Sequence, residues 1–223
     1  MREAYLNSQL CATARDALQN RGTISLKLGL GIQRPPGGGR DGMAGFDQTG
    51  ADMTVLTTDR LILSPVQVGD YSDLCALFGD PAFTHHIFGR GLDAEEVWFR
   101  TLRDIGHWQV LGHGNWAARL KDGGDLVGTF GVLDYRRALD PPFDAPELGW
   151  GAAPRFQGQG LALEALTAAL AWVDEALNAP RTVCMISADN APSMKLAARV
   201  GYRPYAEGAY KGGTVQLLER HAP

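Results

Sequence analysis

The stretch RFQGQGLALEAL at residues 155–166 sets an arginine and two glutamines among glycines directly ahead of an almost wholly apolar run. At the start of a helix such a turn presents free backbone N–H groups, and the helix dipole favours an anion beside them. Glycine at 158 and 160 and alanine at 162 keep side chains out of the path of an approaching phosphate. Two better-known phosphate fingerprints do not fit. A GxGxxG loop counted from Gly158 and Gly160 reaches Leu163 where a small residue must pack. A GxxxxGK[ST] loop needs a lysine followed by Ser or Thr, which neither this turn nor PPGGGR at 35–40 supplies. What remains is Q-x-x-G-x-A, formed by Gln157, Gly160 and Ala162.

Other reactive side chains carry less. Cys11, Cys75 and Cys184 are far apart, odd in number and without a CxxC pair, which suggests free thiols in a reducing cytoplasm rather than a disulfide framework or zinc site. His85 and His86 are adjacent, with no carboxylate spaced to complete a metal site, so no metal is expected and they are read as surface or loop residues. The acidic run Asp93, Glu95, Glu96 reads as a solvated first turn, and Trp98, Phe99, Trp108 and Trp116 as core and groove walls. A formal net charge of -4, with no basic stripe, argues against nucleic acid as a partner. No stretch approaches the roughly 18 apolar residues of a membrane span, and the first twenty residues lack an apolar signal region, so a cytoplasmic location without membrane contact is expected.

The elements that must position the turn begin near Met53. Residues 29–50 are mostly glycine, proline and polar residues and cannot bury enough surface to offset their ordering entropy, so residues 1–52 are expected to be a disordered or non-core extension and 53–223 the domain. RLILSPV at 60–66 reads as a strand. Two helices follow, each predicted to open on a capping box, Asp70 with Asp73 and Asp93 with Glu96. NWAARLKD (115–122) and DLVGTFGVLDY (125–135) form a hairpin through Gly123 and Gly124, and ELGWGAA (147–153) is a third strand. LALEALTAALAWVDEAL (161–177) is a buried helix, TVCMISA (182–188) a strand, NAPSMKLAARVGY (190–202) a helix closing at Gly201, and TVQLLER (214–220) the last strand. The order is β-α-α-β-β-β-α-β-α-β-β.

TDRLILSP at 58–65, ELGWGAAPRFQGQGLALEAL at 147–166 and NAPSMKLAARVGYR at 190–203 together resemble the GCN5-related N-acetyltransferase (GNAT) superfamily, in particular its ribosomal-protein N-terminal acetyltransferase-like (RimJ/RimL-like) branch. The resemblance implies an α/β (α+β) fold with a mixed, mostly antiparallel central sheet splayed at the cofactor site and helices on both faces. It also implies acetyl-CoA as co-substrate and direct transfer to a primary amine in a ternary complex. A protein N-terminal α-amine is the first expectation and a small amine or amino acid the second; an inactive CoA-binding sensor is the alternative from another class. The partner is then the amine acceptor, with the protein a monomer or homodimer. The pyrophosphate would rest on the N–H groups of Gln157, Gly158, Gln159, Gly160, Leu161 and Ala162, and the pantetheine arm along backbone groups of Gly151 and Ala152.

Acetyl transfer to an amine needs a proton acceptor, since amines are protonated at neutral pH. Glu147 begins the flanking strand, and alternation puts Glu147, Gly149 and Gly151 on the face opposite Leu148 and Trp150. It reads equally as a general base or as a strand-end carboxylate in solvent or paired with an arginine. Glu164 is already explained by the helix dipole. Many family members place a tyrosine where this chain has Ala197, so the resemblance implies Ser193 as the hydroxyl facing the leaving thiolate, with Tyr202 and Tyr205 as weaker alternatives beyond Gly201. Asn190 caps its helix and is a candidate contact to the cofactor. No acetyl-cysteine is expected, because Cys184 has no paired histidine in view.

Overall fold

The computed structural model describes residues 54–223. The expected extension at 1–52, with Cys11, lies outside them. Eight strands form one sheet. They are β1 (Leu56–Thr57), β2 (Leu61–Pro65), β3 (Asn115–Leu120), β4 (Leu126–Leu133), β5 (Glu147–Ala152), β6 (Arg181–Ser187), β7 (Arg203–Tyr210) and β8 (Gly213–His221). Their spatial order is β1-β2-β3-β4-β5-β6-β8-β7. Every neighbouring pair is antiparallel except β5 and β6, which are parallel and register only at Glu147↔Val183. Beyond that point the sheet is split, which is the splay the family resemblance implies.

The helices are α1 (Tyr71–Gly79), α2 (Pro81–Phe88), α3 (Ala94–Leu111), α4 (Leu161–Trp172) and α5 (Ala191–Arg199). Alternation along the strands builds a core on each face of the sheet. On β3, Trp116 and Ala118 pack with Leu63, Phe130, Leu166 and Val173 under α4, whereas Ala117 packs with Leu74, Phe78, Phe83 and Val97 under α1 to α3. Apolar on most sides, α4 buries Leu161, Ala165, Leu166, Ala169 and Leu170, and its continuation Val173–Leu177 widens into a π turn. Gly123 and Gly124, at φ +83° and +72°, turn the β3–β4 hairpin.

Several expectations need correction. Asp70 does not cap α1: its carboxylate accepts from Gln67 N–H (2.8 Å) in the preceding turn, and with Asp73 it holds Arg119 at 2.8 Å. Competition from a long-range guanidinium outweighs the local cap. The second box is as expected, with Asp93 and Glu96 each accepting from the other's backbone N–H. The histidine pair lies in a helix, α2, whose signals are complete: Asp80 accepts from Ala82 N–H, Pro81 holds the first helical position, and Gly89 ends it at φ +72°. Phe99 is no groove wall but 61% exposed on the outer side of α3, whereas Trp108 and Trp116 are core.

Candidate active site

β5 carries the site on two of its sides. In an antiparallel ladder the N–H and C=O of one residue point to the same neighbour, and those of the next residue point away. Ala153 N–H donates to Val127 O (2.8 Å), and the Cβ that Gly128 lacks would collide with Gly151 O. Odd-numbered residues of β5 therefore spend their backbone groups on β4. Even-numbered ones face β6: Pro146 O accepts from Val183 N–H (2.9 Å) and Ala152 O from the Gln157 side-chain amide (3.2 Å). Past the single β5–β6 register, the backbone edges of Trp150 and Ala152 look into the split. This corrects the expectation for Gly151, whose backbone serves β4. Its contribution is space, since a Cβ there would lie 2.7 Å from the Phe83 ring.

The glycine turn continues from that end of β5. Gly158 and Gly160 have φ +75° and +77°, a left-handed conformation that favours glycine. Gly160 is the N-cap of α4 and supplies no side-chain cap, so the first N–H groups of Leu161, Ala162 and Leu163 have no capping side chain. Arg60 reaches the turn: its Nη1 donates to Gln159 O (3.0 Å), and its Nη2 would stand 3.5 Å from a Cβ at position 160. Glu164 holds Arg60 there, accepting from Thr58 Oγ1 (2.5 Å), Arg60 N–H (2.8 Å) and Arg60 Nε (2.7 Å). Glu164 thus does more than complement the dipole; it clamps β2 to α4. Burial works against its carboxylate, but those hydrogen bonds outweigh burial and hold its pKa below the ordinary value.

Along β5 a cavity of ≈ 820 Å³ opens between the sheet and α2–α3. It brings together Glu147, Gly151, Asn190 and Ser193 from the expected set. Gln157 to Ala162 and Ala152 do not line it; the cavity follows β5 from Glu147 to Gly151 and stops short of the turn. Glu147 is 6% exposed and accepts from Arg137 Nε at Oε2 (2.7 Å). Both readings of it therefore meet at one place, a carboxylate paired with arginine and facing the cavity. Burial pushes its pKa up, and Arg137 pulls it partly back. Arg137 Nη1 also donates to Tyr210 Oη (2.8 Å). Ser193 N–H donates to Asn190 Oδ1 (3.2 Å), which is the expected cap. Ala197, one turn on from Ser193, is fully buried and does not line the cavity.

Tyr202 is buried with its hydroxyl paired to Thr182 Oγ1 (2.7 Å), and Tyr205 lies on β7 with its ring against Arg181; neither reaches the cavity. Cys184 is buried in the core, and desolvation drives its thiol well above the usual range. Sequence reasoning missed Arg60, Arg137 and the cavity face of α3, where Arg100, Arg103 and His107 stand at i, i+3 and i+7. That spacing within RTLRDIGHW, interleaved with buried Val97, Thr101 and Trp108, was the available signal. Asp104 on the same helix accepts from Arg103 (2.7 Å), Asn115 (3.0 Å) and Tyr135 (3.2 Å) in a buried network.

The split sheet thus has an uncapped helix N-terminus at its open end on the β5 side, Ser193 beyond the open end of β6, and a buried carboxylate where β5 and β6 still pair. The chain belongs to the acetyltransferase (GNAT) domain family, whose family model matches residues 60–203. It is an acyltransferase of the N-acetyltransferase kind. A solved structure from Bordetella pertussis assigned to the GnaT family of acetyltransferases is 34% identical, covering 75% of this chain and 99% of that one, with a TM-score of 0.67. A curated relative from Bacillus licheniformis, described as the uncharacterized N-acetyltransferase p20, is 24% identical over 156 residues, 68% of this chain and 83% of its own. The fold is shared by a RimL ribosomal L7/L12 alpha-N-protein acetyltransferase solved in complex with coenzyme A, at 16% identity, 75% and 98% coverage and a TM-score of 0.63.

Proposed function

We propose that this chain moves the acetyl group of acetyl-CoA directly to a primary amine, foremost the α-amine of a protein N-terminus, in a ternary complex. The observation that carries the cofactor is the turn: two glycines at positive φ before a helix with no capping side chain leave N–H donors for a pyrophosphate, with Arg60 beside them. The backbone edges of Trp150 and Ala152 in the split suit an amide-bearing arm running from the turn toward the cavity. Protein N-termini are favoured by the shared fold with the ribosomal-protein acetyltransferase.

In the cavity Glu147 accepts the proton of the attacking amine, directly or through a water. Its raised pKa brings it closer to the amine, and Arg137 keeps the carboxylate oriented. The new N–C bond forms as the C–S bond breaks, and the Ser193 hydroxyl at the start of α5 donates toward the departing thiolate. Measuring CoA release with acetyl-CoA across peptides and small amines tests this assignment. Saturable turnover on peptide α-amines supports it. Turnover on small amines alone moves the acceptor to that class, and CoA binding without turnover on any acceptor refutes the transfer and leaves a sensor.

A further inference from the structure

The charged lining of the cavity is lopsided. Arg100, Arg103, Arg136, Arg137 and Lys211 face it against only two carboxylates, Asp134 and Glu147, in a chain whose formal net charge is -4. Most of these cations are engaged. Arg137 holds Glu147 at 2.7 Å, Arg136 holds Asp134 at 3.0 Å, and Arg103 holds Asp104, which Asn115 and Tyr135 also share. Lys211 stands over the Tyr210 ring at 5.5 Å and is exposed.

Arg100 differs from all of them. Its Nε is buried and has no hydrogen-bond partner, and it makes no ion pair among the described residues. Its guanidinium is fixed instead by aromatic faces, 4.5 Å from the Phe78 ring centre and 5.2 Å from that of Phe88. A buried donor without a partner is costly, and a stacked arginine is already oriented for a planar anion. Two turns further along α3, His107 likewise has a buried Nδ1 without a partner.

These cations do not serve the turn. Residues 157–162 do not line the cavity, whereas Arg100 faces it from α3 together with Glu147; Arg100 lies against Phe78, which packs on Phe83, the ring beside Gly151. The unsatisfied cation therefore shares the cavity of the proposed base and not the turn. We infer that the acceptor amine carries a carboxylate, which Arg100 binds while Glu147 receives the amine's proton. The inference rests on the acetyl-transfer reading and narrows its acceptor. The shared chemistry has two sources, a free amino acid or a peptide N-terminus with an acidic side chain near it.

The test uses matched acceptors. Free amino acids are compared with their α-carboxamides, and peptides opening Ala-Glu with peptides opening Ala-Gln. In one arm or the other the carboxylate acceptor should show kcat/KM roughly 10–100-fold higher, the range of a hydrogen bond to a charged group; which arm responds identifies the source. Arg100→Gln should level the matched pair without weakening CoA binding, and Arg100→Lys should restore part of the preference. Equal rates within both pairs in the unmodified protein overturn the inference, as does an Arg100→Gln variant that loses CoA affinity. If no amine is acetylated, the transfer reading falls, and binding decides the anion site. N-acetyl products bearing a carboxylate must then raise the melting temperature of the CoA complex more than their amides do, and equal shifts overturn it.

Discussion

Gly160→Glu places a carboxylate where the proposed pyrophosphate rests, and the structure separates its two costs. The first is backbone strain. Gly160 has φ +77°, so any side chain there costs about 1–2 kcal/mol of fold stability, or a melting temperature lower by about 2–8 °C for a domain of this size. Steric cost is small, because the nearest atom to a Cβ is Arg60 Nη2 at 3.5 Å. Gly158→Ala isolates that first cost: it has φ +75° and nothing within 4 Å of its Cβ. The second cost is electrostatic and falls on the ligand. Like charges about 4 Å apart repel by ~1 kcal/mol in water and ~4 kcal/mol at an effective dielectric of 20. Acetyl-CoA at 100 times its Kd should stabilise the unmodified protein by about 2.7 kcal/mol. A penalty of the same size raises Kd about 100-fold and leaves about 0.4 kcal/mol, a shift of roughly 1 °C. The assay is thermal denaturation of the three proteins with and without acetyl-CoA. A Gly160→Glu variant that keeps the full ligand shift refutes the turn as the pyrophosphate site, and no shift in the unmodified protein refutes the cofactor.

Other outcomes follow from the same geometry. Because Glu147 must be ionised to accept a proton and burial raises its pKa, kcat/KM should climb as pH rises through that raised value; Glu147→Gln should abolish this limb and lower kcat by about 10²–10⁴-fold. Arg137→Met removes the group that pulls the carboxyl back, so the limb should move to higher pH, and a limb that stays in place argues against Glu147 as the base. The Glu164 carboxyl is held below its ordinary pKa, so its contribution is present above the unfolded value of ~4.3 and lost as pH falls through the folded one. Glu164→Gln, with one acceptor oxygen for three donors, should cost about 1–2 kcal/mol, a moderate figure because Arg60 is half exposed. Urea unfolding at pH 7 measures that cost, and no loss removes the clamp. Gly151→Ala pushes a methyl to 2.7 Å from the Phe83 ring and should cost about 1–3 kcal/mol by overpacking, read by the same titration.

Local signals disclosed the fold wherever a local rule decided the outcome. The β3–β4 hairpin, the strand–turn–helix through Gly160 and the Asn190 cap follow from residue type and spacing, and the structure has them. Asp70 and Asp73 were misread because their carboxylates answer to Arg119 on β3, forty-nine residues from Asp70, a contact no local pattern encodes. Helix α2 was legible in Asp80, Pro81 and Gly89 but short enough to pass as a loop. Within the site, Glu147 could be nominated because it opens the strand that leads to the glycine turn, Asn190 as a helix cap, and Ser193 only through the resemblance of its N-x-x-S element. Arg137 could not, since its pairing with Glu147 depends on how the loop after β4 returns to β5. Gly151 was assigned the wrong service, because which neighbour its backbone faces is a parity fixed only by register with β4.

That parity explains why one six-residue strand can serve two substrates. Its odd-numbered side chains, Glu147, Gly149 and Gly151, share a face on which only the first has bulk, and Cβ atoms on the two glycines would strike Leu133 and Phe83. The glycines therefore make room for Leu133 and Phe83, and the cavity runs past these side chains as a groove from the Glu147 carboxylate. The in-plane edge of the even-numbered residues is a different surface, turned to the split, with the Gln157 side chain on Ala152 O. On the proposed reading, a cofactor along the edge and an acceptor in the groove would meet near Glu147 without competing for the same backbone atoms. The charges divide in the same way. The turn offers N–H dipoles and Arg60, whereas the groove offers Arg100 over Phe78 with its partner yet to be supplied. On the proposed reading an anionic carrier held at the turn leaves Arg100, in the cavity, for a second anion. Two negatively charged substrates would then be bound together, each on its own cation.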